Sequence, residues 1–230
     1  MAIVTVDFDG TLYQGDSFKA MFKAGKKHFG WRQWLTMGVE VVASLFVWLF
    51  QNKQAMKMRF FRGFAMTFKG MTTEEINSFF RDLAGSDWDN VNIELVEKLK
   101  EHEKRGDRLV ILSGALYPFL EAFRELLDVE ADIISTRLGF TKDGVCTGEI
   151  ARIINGEEKV TALKAWLKKE GLEPTFGESD LYTWAYADSE TDIPLFEYVH
   201  RPVVVNPDEQ MMSIAREKRW PIFDEALADL

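Results

Sequence analysis

The chain has 230 residues, 47% of them hydrophobic and 28% charged, a globular balance that excludes disordered, collagen-like and low-complexity classes. Twenty-eight basic residues stand against 37 acidic ones, and the net charge of −9 argues against a nucleic-acid partner, which requires clustered cations. The single cysteine, Cys146, excludes an internal disulfide or a thiolate metal cluster and reads as a small residue in or near the core.

Ala2–Val6 is a strand candidate that runs into Asp7-Phe8-Asp9-Gly10-Thr11-Leu12. Acids that early, with no basic leader before them, do not suit a secretory signal, so a cytoplasmic location is expected. Turn-forming residues then cluster at Gln14-Gly15-Asp16 and at Gly85-Ser86-Asp87 and divide the chain. The segment between them, residues 15–87, holds 11 of the 18 Phe and 6 of the 9 Met. It carries 11 basic and 6 acidic residues, +5, which leaves −14 for the remainder, an asymmetry that suggests two units with different jobs.

The middle unit reads as helical. Phe18, Met21, Phe22, Phe60, Phe61, Phe64 and Phe68 recur at three- and four-residue intervals, Asp16-Ser17 and Thr72-Thr73-Glu74-Glu75 read as helix starts, and no proline interrupts. Its most apolar run, Met37 to Phe50, contains Glu40 and falls short of the ~18–20 residues of a membrane-spanning helix.

Residues 1–14 and 88–230 alternate strands with helices. The strand candidates after the first are Arg108–Leu112, Asp132–Ser135, Tyr182–Ala187 and Pro202–Val205. Between them lie helix candidates at Asn92–Lys104, Pro118–Leu127, Lys159–Glu170, Ile193–Val199 and Asp208–Arg216, with a hairpin or loop over Arg137–Gly148. That alternation predicts an α/β fold, a doubly wound, mostly parallel sheet built through βαβ crossovers.

Polar signals follow three of the strands: Asp7 to Leu12, then Ser113-Gly114-Ala115, then Asp188-Ser189-Glu190-Thr191-Asp192. In a parallel sheet these ends share one edge, the edge where ligands bind. Carboxylates gathered there repel, each pair at ~4 Å by on the order of 4 kcal/mol at an effective dielectric near ~20. A hard divalent cation such as Mg²⁺ relieves that repulsion and binds through a couple of carboxylates plus phosphate oxygens. Thr11, Ser113, the amides around Gly10 and Gly114, and Lys159 at a helix start add donors and positive charge suited to a phosphoryl group. Each piece alone is weak: acids cap turns, Ser-Gly-Ala is a common turn, and a lone lysine is usually solvated. Order, spacing and strand context give them weight together.

These residues resemble the haloacid dehalogenase (HAD) superfamily of phosphohydrolases. Asp7-Phe8-Asp9-Gly10-Thr11-Leu12 is similar to its first motif, Ser113 to its second, Lys159 to its third and Asp188-Ser189-x-x-Asp192 to its fourth, and the likeness extends to Val203-Val204-Val205-Asn206-Pro207-Asp208. The subfamily it most resembles, IB, contains phosphoserine phosphatase and carries an all-helical cap domain inserted after the first motif, here residues 15–87. The resemblance implies Asp7 as the nucleophile that forms an aspartyl-phosphate and Asp9 as the acid and base. It also implies Mg²⁺ held by Asp7, the Asp9 carbonyl and Asp188, with Asp192 orienting that shell, and phosphoryl oxygens gripped by Thr11, Ser113 and Lys159. An acid at position 9 favours a phosphatase, since release of halide needs no proton donor.

The substrate is less constrained. Phosphoserine phosphatases resemble one another in a glutamate nine residues after the nucleophile; here Asp16 holds that place, as a substrate contact or as a helix N-cap, and Gly10 stands where those enzymes often have serine. A small phosphorylated metabolite is the expected partner, and these two departures leave phosphoserine compatible with the sequence but not compelled by it. The aromatic content of the cap reads first as internal packing. The alternative is a lipid phosphate of the phosphatidylglycerophosphate type, with Trp31, Trp34 and Trp48 beside Lys26, Lys27, Lys53 and Lys57 at a membrane surface. A phospho-accepting receiver-like signalling domain would share the acids, hydroxyl and lysine, but the 73-residue insert and Asp9 weigh against it. His28, His102 and His200 fit no metal spacing or triad.

Overall fold

The computed structural model describes residues 1–15, 17–50, 53–172 and 181–223. Strand β1 (Ala2–Val6) lies at the centre of a six-stranded sheet of order β4-β3-β2-β1-β5-β6. Its neighbours are β2 (Arg108–Leu116) and β5 (Tyr182–Ala187), both parallel to it; β3 (Ala131–Phe140) and β6 (Arg201–Val204) extend the parallel sheet outward. Strand β4 (Cys146–Arg152) closes one edge antiparallel to β3, which makes the Arg137–Gly148 stretch part of a hairpin with longer strands than its turn residues suggest.

Side chains alternate across the pleat and build two cores. Val4, Val6, Leu109, Ile111 and Tyr186 face one apolar cluster, whereas Ile3, Val110, Leu112, Ala185 and Ala187 face the other. Helices α5 (Ile93–Lys104) and α6 (Tyr117–Leu127) cover the first face. Helices α7 (Glu157–Lys169), α8 (Ile193–Tyr198) and α9 (Glu209–Lys218) cover the second. This is the doubly wound α/β arrangement.

Between β1 and α5 the described residues form four α-helices: α1 (Ser17–His28), α2 (Trp31–Phe50), α3 (Lys53–Met66) and α4 (Thr73–Ser86). Helix α4 starts where Thr72 and Glu75 exchange a reciprocal capping box, satisfying two otherwise orphaned amides. Met21, Phe61, Phe64 and Phe68 are buried, as their spacing predicts. Phe80 touches Phe119 of α6 with ring centroids 5.8 Å apart, so aromatic packing passes without a break from the inserted helices to the face of the sheet. Residues 70–71 also pair with the start of β4, through Gly70 N–H to the Cys146 carbonyl (2.9 Å) and Cys146 N–H to the Met71 carbonyl (2.8 Å). Cys146 itself is buried, and burial raises its thiol pKa. Among the described residues no helix is long and apolar enough to cross a membrane.

Candidate active site

Strand order reverses at β1, with β2 on one side and β5 on the other, and the crevice outside their carboxyl ends is the switch point at which such sheets bind ligands. Asp7 sits there as the continuation of β1, its N–H donating to the Tyr186 carbonyl of β5 at 2.8 Å. The chain then closes a tight loop: Tyr13 N–H donates to the Phe8 carbonyl and Gly10 N–H to the Tyr13 carbonyl, both at 2.8 Å, over the stacked rings of Phe8 and Tyr13. Gly10 turns with φ +79°, and a Cβ there would stand 2.2 Å from Asp188 Oδ2, so the absence of a side chain lets the Asp188 carboxylate lie against the loop. Asn206 Nδ2 donates to the Gly10 carbonyl at 3.2 Å.

Three carboxylates converge beside this loop: Asp7, Asp188 and Asp192 each present an oxygen within 4.8 Å of the others. Lys159, buried on the first turn of α7, reaches between two of them, its Nζ 2.5 Å from Asp192 Oδ1 and 3.0 Å from Asp7 Oδ1. Asp192 is fully enclosed, and its second oxygen accepts from the Ser189 hydroxyl at 2.9 Å. Asp188 Oδ1 accepts from the Thr11 hydroxyl at 3.2 Å.

Burial pushes the Asp188 carboxyl up to about 7, and the negative charges of Asp7 and Asp192 add to it against the Thr11 hydrogen bond. Burial also raises Asp7, with Lys159 opposing and Asp192 reinforcing. The same burial would depress Lys159, but Asp192 and Asp7 outweigh it and hold the ammonium above its ordinary value. One ammonium among three carboxylates leaves excess negative charge, and Asp7 Oδ1 is buried without a well-directed hydrogen bond. An all-oxygen donor set with uncompensated charge fits a hard divalent cation, with Asp7 and Asp188 as the ligands whose oxygens face the cavity.

A cavity of about 700 Å³ opens above these groups. Asp7, Asp9, Ser113, Gly114, Lys159 and Asp188 all line it. Ser113 and Gly114 are there because β2 continues past Leu112, Ser113 pairing with Ser135 of β3 before the register shifts. Helix α1 provides the opposite wall through Ser17, Lys19, Phe22, Lys23 and Lys26. Asp9 fixes the start of that helix: Ser17 donates its N–H to Oδ1 at 2.9 Å and its hydroxyl to Oδ2 at 2.7 Å.

Of the expected residues, Asp7, Asp9, Ser113, Gly114, Lys159 and Asp188 come together at the cavity, and Thr11 and Gly10 take other places. Thr11 is buried with its hydroxyl on Asp188 and does not line the cavity, so it supports a carboxylate where a phosphate contact was expected. Gly10 does not line the cavity either, its N–H donating to the Tyr13 carbonyl, whereas Asp192 stands behind the cavity and engages Lys159 and Ser189, the orienting place that the resemblance implies. Asp16 lies outside the described residues. The sequence does not disclose Ser17 as a partner of Asp9, nor that Lys19, Lys23 and Lys26, read there only as cap cations, line the cavity, although positions 19, 23 and 26 carry the spacing of one helix face. His102 and His200 are structural, bonded to Asp107 and Tyr186 and to Thr183 respectively.

Comparison with known proteins agrees with this geometry. A family model described as haloacid dehalogenase-like hydrolase matches residues 4–197. The inhibition of morphological differentiation protein of Streptomyces azureus is 33% identical over 131 residues, 57% of this chain and 45% of that protein. A histidinol-phosphatase of Neisseria meningitidis is 32% identical over 128 residues, 55% of each chain. The chain therefore spans about half the length of these curated relatives. Among solved structures, a Bordetella pertussis protein of unknown function superimposes with a TM-score of 0.76 at 22% identity, covering 96% of this chain and 97% of that one. A probable phosphoserine phosphatase of Vibrio cholerae does so with 0.61 at 16% identity, covering 92% and 58%. These likenesses establish the fold, and the family match over most of the sequence establishes descent: the chain belongs to the haloacid dehalogenase-like hydrolase family.

Proposed function

We propose that the protein is a Mg²⁺-dependent phosphomonoester hydrolase that passes the phosphoryl group through Asp7 to water, and that its substrate is a small phosphorylated metabolite, phosphoserine-like esters included. The observation that carries this reading is the convergence of Asp7, Asp188, Asp192 and Lys159 on the floor of one cavity. Mg²⁺ held by Asp7, Asp188 and the Asp9 carbonyl would neutralise charge on the phosphoryl oxygens. An Asp7 oxygen attacks phosphorus as the ester P–O bond breaks, and Asp9 gives its proton to the leaving alkoxide. Asp9 then takes a proton from water as that water attacks phosphorus, the bond to Asp7 breaks, and inorganic phosphate leaves. Lys159, Ser113 and the Gly114 amide serve as donors to the phosphoryl oxygens.

Residues 15–87 act in this reading as a cap over a core formed by residues 1–14 and 88–230, and the reaction takes place in the cytoplasm. The relatives named as phosphatases support the chemistry, and the family places the receiver-like alternative aside. A second reading, a lipid phosphate as substrate, is favoured by one feature: Phe22, Phe61 and Ile153 give the cavity an apolar side that a phosphorylated amino acid does not need.

The test is phosphate release with Mg²⁺ across amino-acid, sugar, nucleotide and detergent-dispersed lipid phosphates. Turnover of one class that vanishes with chelator and in Asp7→Asn supports the proposal. Turnover that survives Asp7→Asn overturns the covalent route, and no release from any class overturns the hydrolase reading.

A further inference from the structure

We infer that the outer face of α2 docks on an anionic lipid bilayer, seating the inserted helices and the mouth of the catalytic cavity against the membrane surface. Trp31, Leu35, Val39 and Val42 recur every three or four residues along α2, and they are 71%, 61%, 58% and 68% exposed. This spacing puts them on one face. Another face does the packing: Met37 is buried and Val41 lies against the core, while Trp34 stands at the border, partly buried against the core and beside the stripe. A soluble surface seldom leaves a stripe of four large apolar side chains uncovered.

Charge identifies the occupant. Residues 17–71 contain ten Lys or Arg and one acid, Glu40. That acid is already engaged by Arg59 at 3.3 Å. Lys26, Lys27 and Arg32 are exposed at the Trp31 end of the stripe, and the Arg32 guanidinium lies 5.5 Å from the Trp31 ring centroid. An apolar stripe rimmed by cations and an interfacial aromatic matches a headgroup region of net negative charge. A second copy placed face to face would bring these cations against their own kind. The remainder of the chain carries the acidic excess, so it favours an orientation in which the inserted helices approach the bilayer first. The helix does not cross the bilayer, since no described helix is long and apolar enough, and the contact is therefore interfacial.

The stripe is also continuous with the site. Phe22, which lines the catalytic cavity, meets Trp34 edge to face with centroids 5.5 Å apart, and Trp34 lines the shallow groove that Leu35, Val39 and Val42 share. Docking of α2 would present the cavity mouth to esters held at or near the surface.

The experiment is flotation of the full chain with vesicles of phosphatidylcholine alone and of phosphatidylcholine with one quarter phosphatidylglycerol, at low and high salt. Expected are binding to the anionic vesicles at least about tenfold above the neutral ones, weakened by salt, and a comparable loss in Leu35→Ser/Val39→Ser and in Lys27→Glu/Arg32→Glu. Both variants should keep the thermal midpoint and the phosphatase activity on a water-soluble ester, which separates failure of docking from failure of the hydrolase reading. Absence of wild-type binding at low salt overturns the inference, as does unchanged binding by the Leu35→Ser/Val39→Ser variant. A wild-type dimer that this variant turns into a monomer, without vesicle binding by either, would assign the face to a second copy and overturn it as well.

Discussion

Ser17 gives both its backbone N–H and its hydroxyl to the carboxylate of Asp9, so the first residue of α1 is tied to the acid that follows the proposed nucleophile by two positions. The position of the inserted helices and the orientation of the proposed proton donor are thereby one variable. Ser17→Ala removes the shorter bond and leaves the amide. Its kcat/KM is expected to fall about tenfold, the low end of the ~1.5–3 kcal/mol associated with a hydrogen bond to a charged group. Steady-state kinetics with unchanged thermal midpoint would check this; an unchanged kcat/KM would show that Asp9 is held by other contacts.

Lys159 is the counter-charge for two buried carboxylates. Lys159→Met leaves Asp7 and Asp192 facing each other without it, and should destabilise the metal-free protein by ~3–5 kcal/mol, the cost of breaking a buried pair from one side. Adding Asp192→Asn removes one of the stranded charges, so the double variant should be more stable than the sum of the two single effects predicts. Denaturant titrations of the four proteins measure this coupling, and strict additivity would refute it.

How far the sequence discloses this site depends on which part of the signal is local. Asp7, Ser113, Lys159 and Asp188 follow from strand ends and helix starts, because apolar runs mark buried parallel strands and the polar residue after each run lands on the same edge. The extent of β2 is not marked in this way: Ser113 and Gly114 end the apolar pattern, but backbone pairing with Ser135 carries the strand further. Strand β4 gives little signal because Thr147, Glu149 and Arg152 belong to an edge strand with polar side chains. The Thr11 hydroxyl turning to Asp188, 177 positions away, and the Asp9 carboxylate turning to Ser17 are consequences of tertiary approach, which no periodicity encodes.

Asp188 supplies a pH signature. Its folded pKa of about 7 lies above its ordinary 3.8, so between those values the folded chain binds more protons than the unfolded chain. The metal-free protein should therefore lose stability from this group as pH rises through that window, and Mg²⁺, which needs the ionised form, should restore it. Apparent Mg²⁺ affinity should rise up to about tenfold per pH unit below 7 and level off above. The Asp188→Asn variant is the reference, since its difference from wild type isolates this group. A difference independent of pH in chelator would contradict the assignment.

His102 acts in the opposite sense, from α5 on the face of the sheet that Tyr186 shares. Its Nδ1 lies 2.9 Å from Asp107 Oδ2 and its Nε2 3.0 Å from the Tyr186 hydroxyl, while Asp107 Oδ1 accepts the Ala2 N–H at 2.7 Å. One neutral tautomer satisfies every partner, with Nδ1–H donating to the carboxylate and Nε2 accepting from the phenol. Burial lowers the imidazole pKa below 6.5 despite the pull of Asp107, so on acidification the unfolded chain takes up this proton before the folded one. Stability is therefore complete above 6.5 and declines as pH falls toward the folded value, by at most ~1.4 kcal/mol per pH unit for one proton. Because the Tyr186 carbonyl holds the Asp7 N–H, the same network braces the strand end that carries the proposed nucleophile. Urea midpoints at pH 5.5 and 7.5 should differ more for wild type than for His102→Asn, which has no proton to gain; equal differences would mean that the imidazole has the same pKa in the folded and unfolded chains.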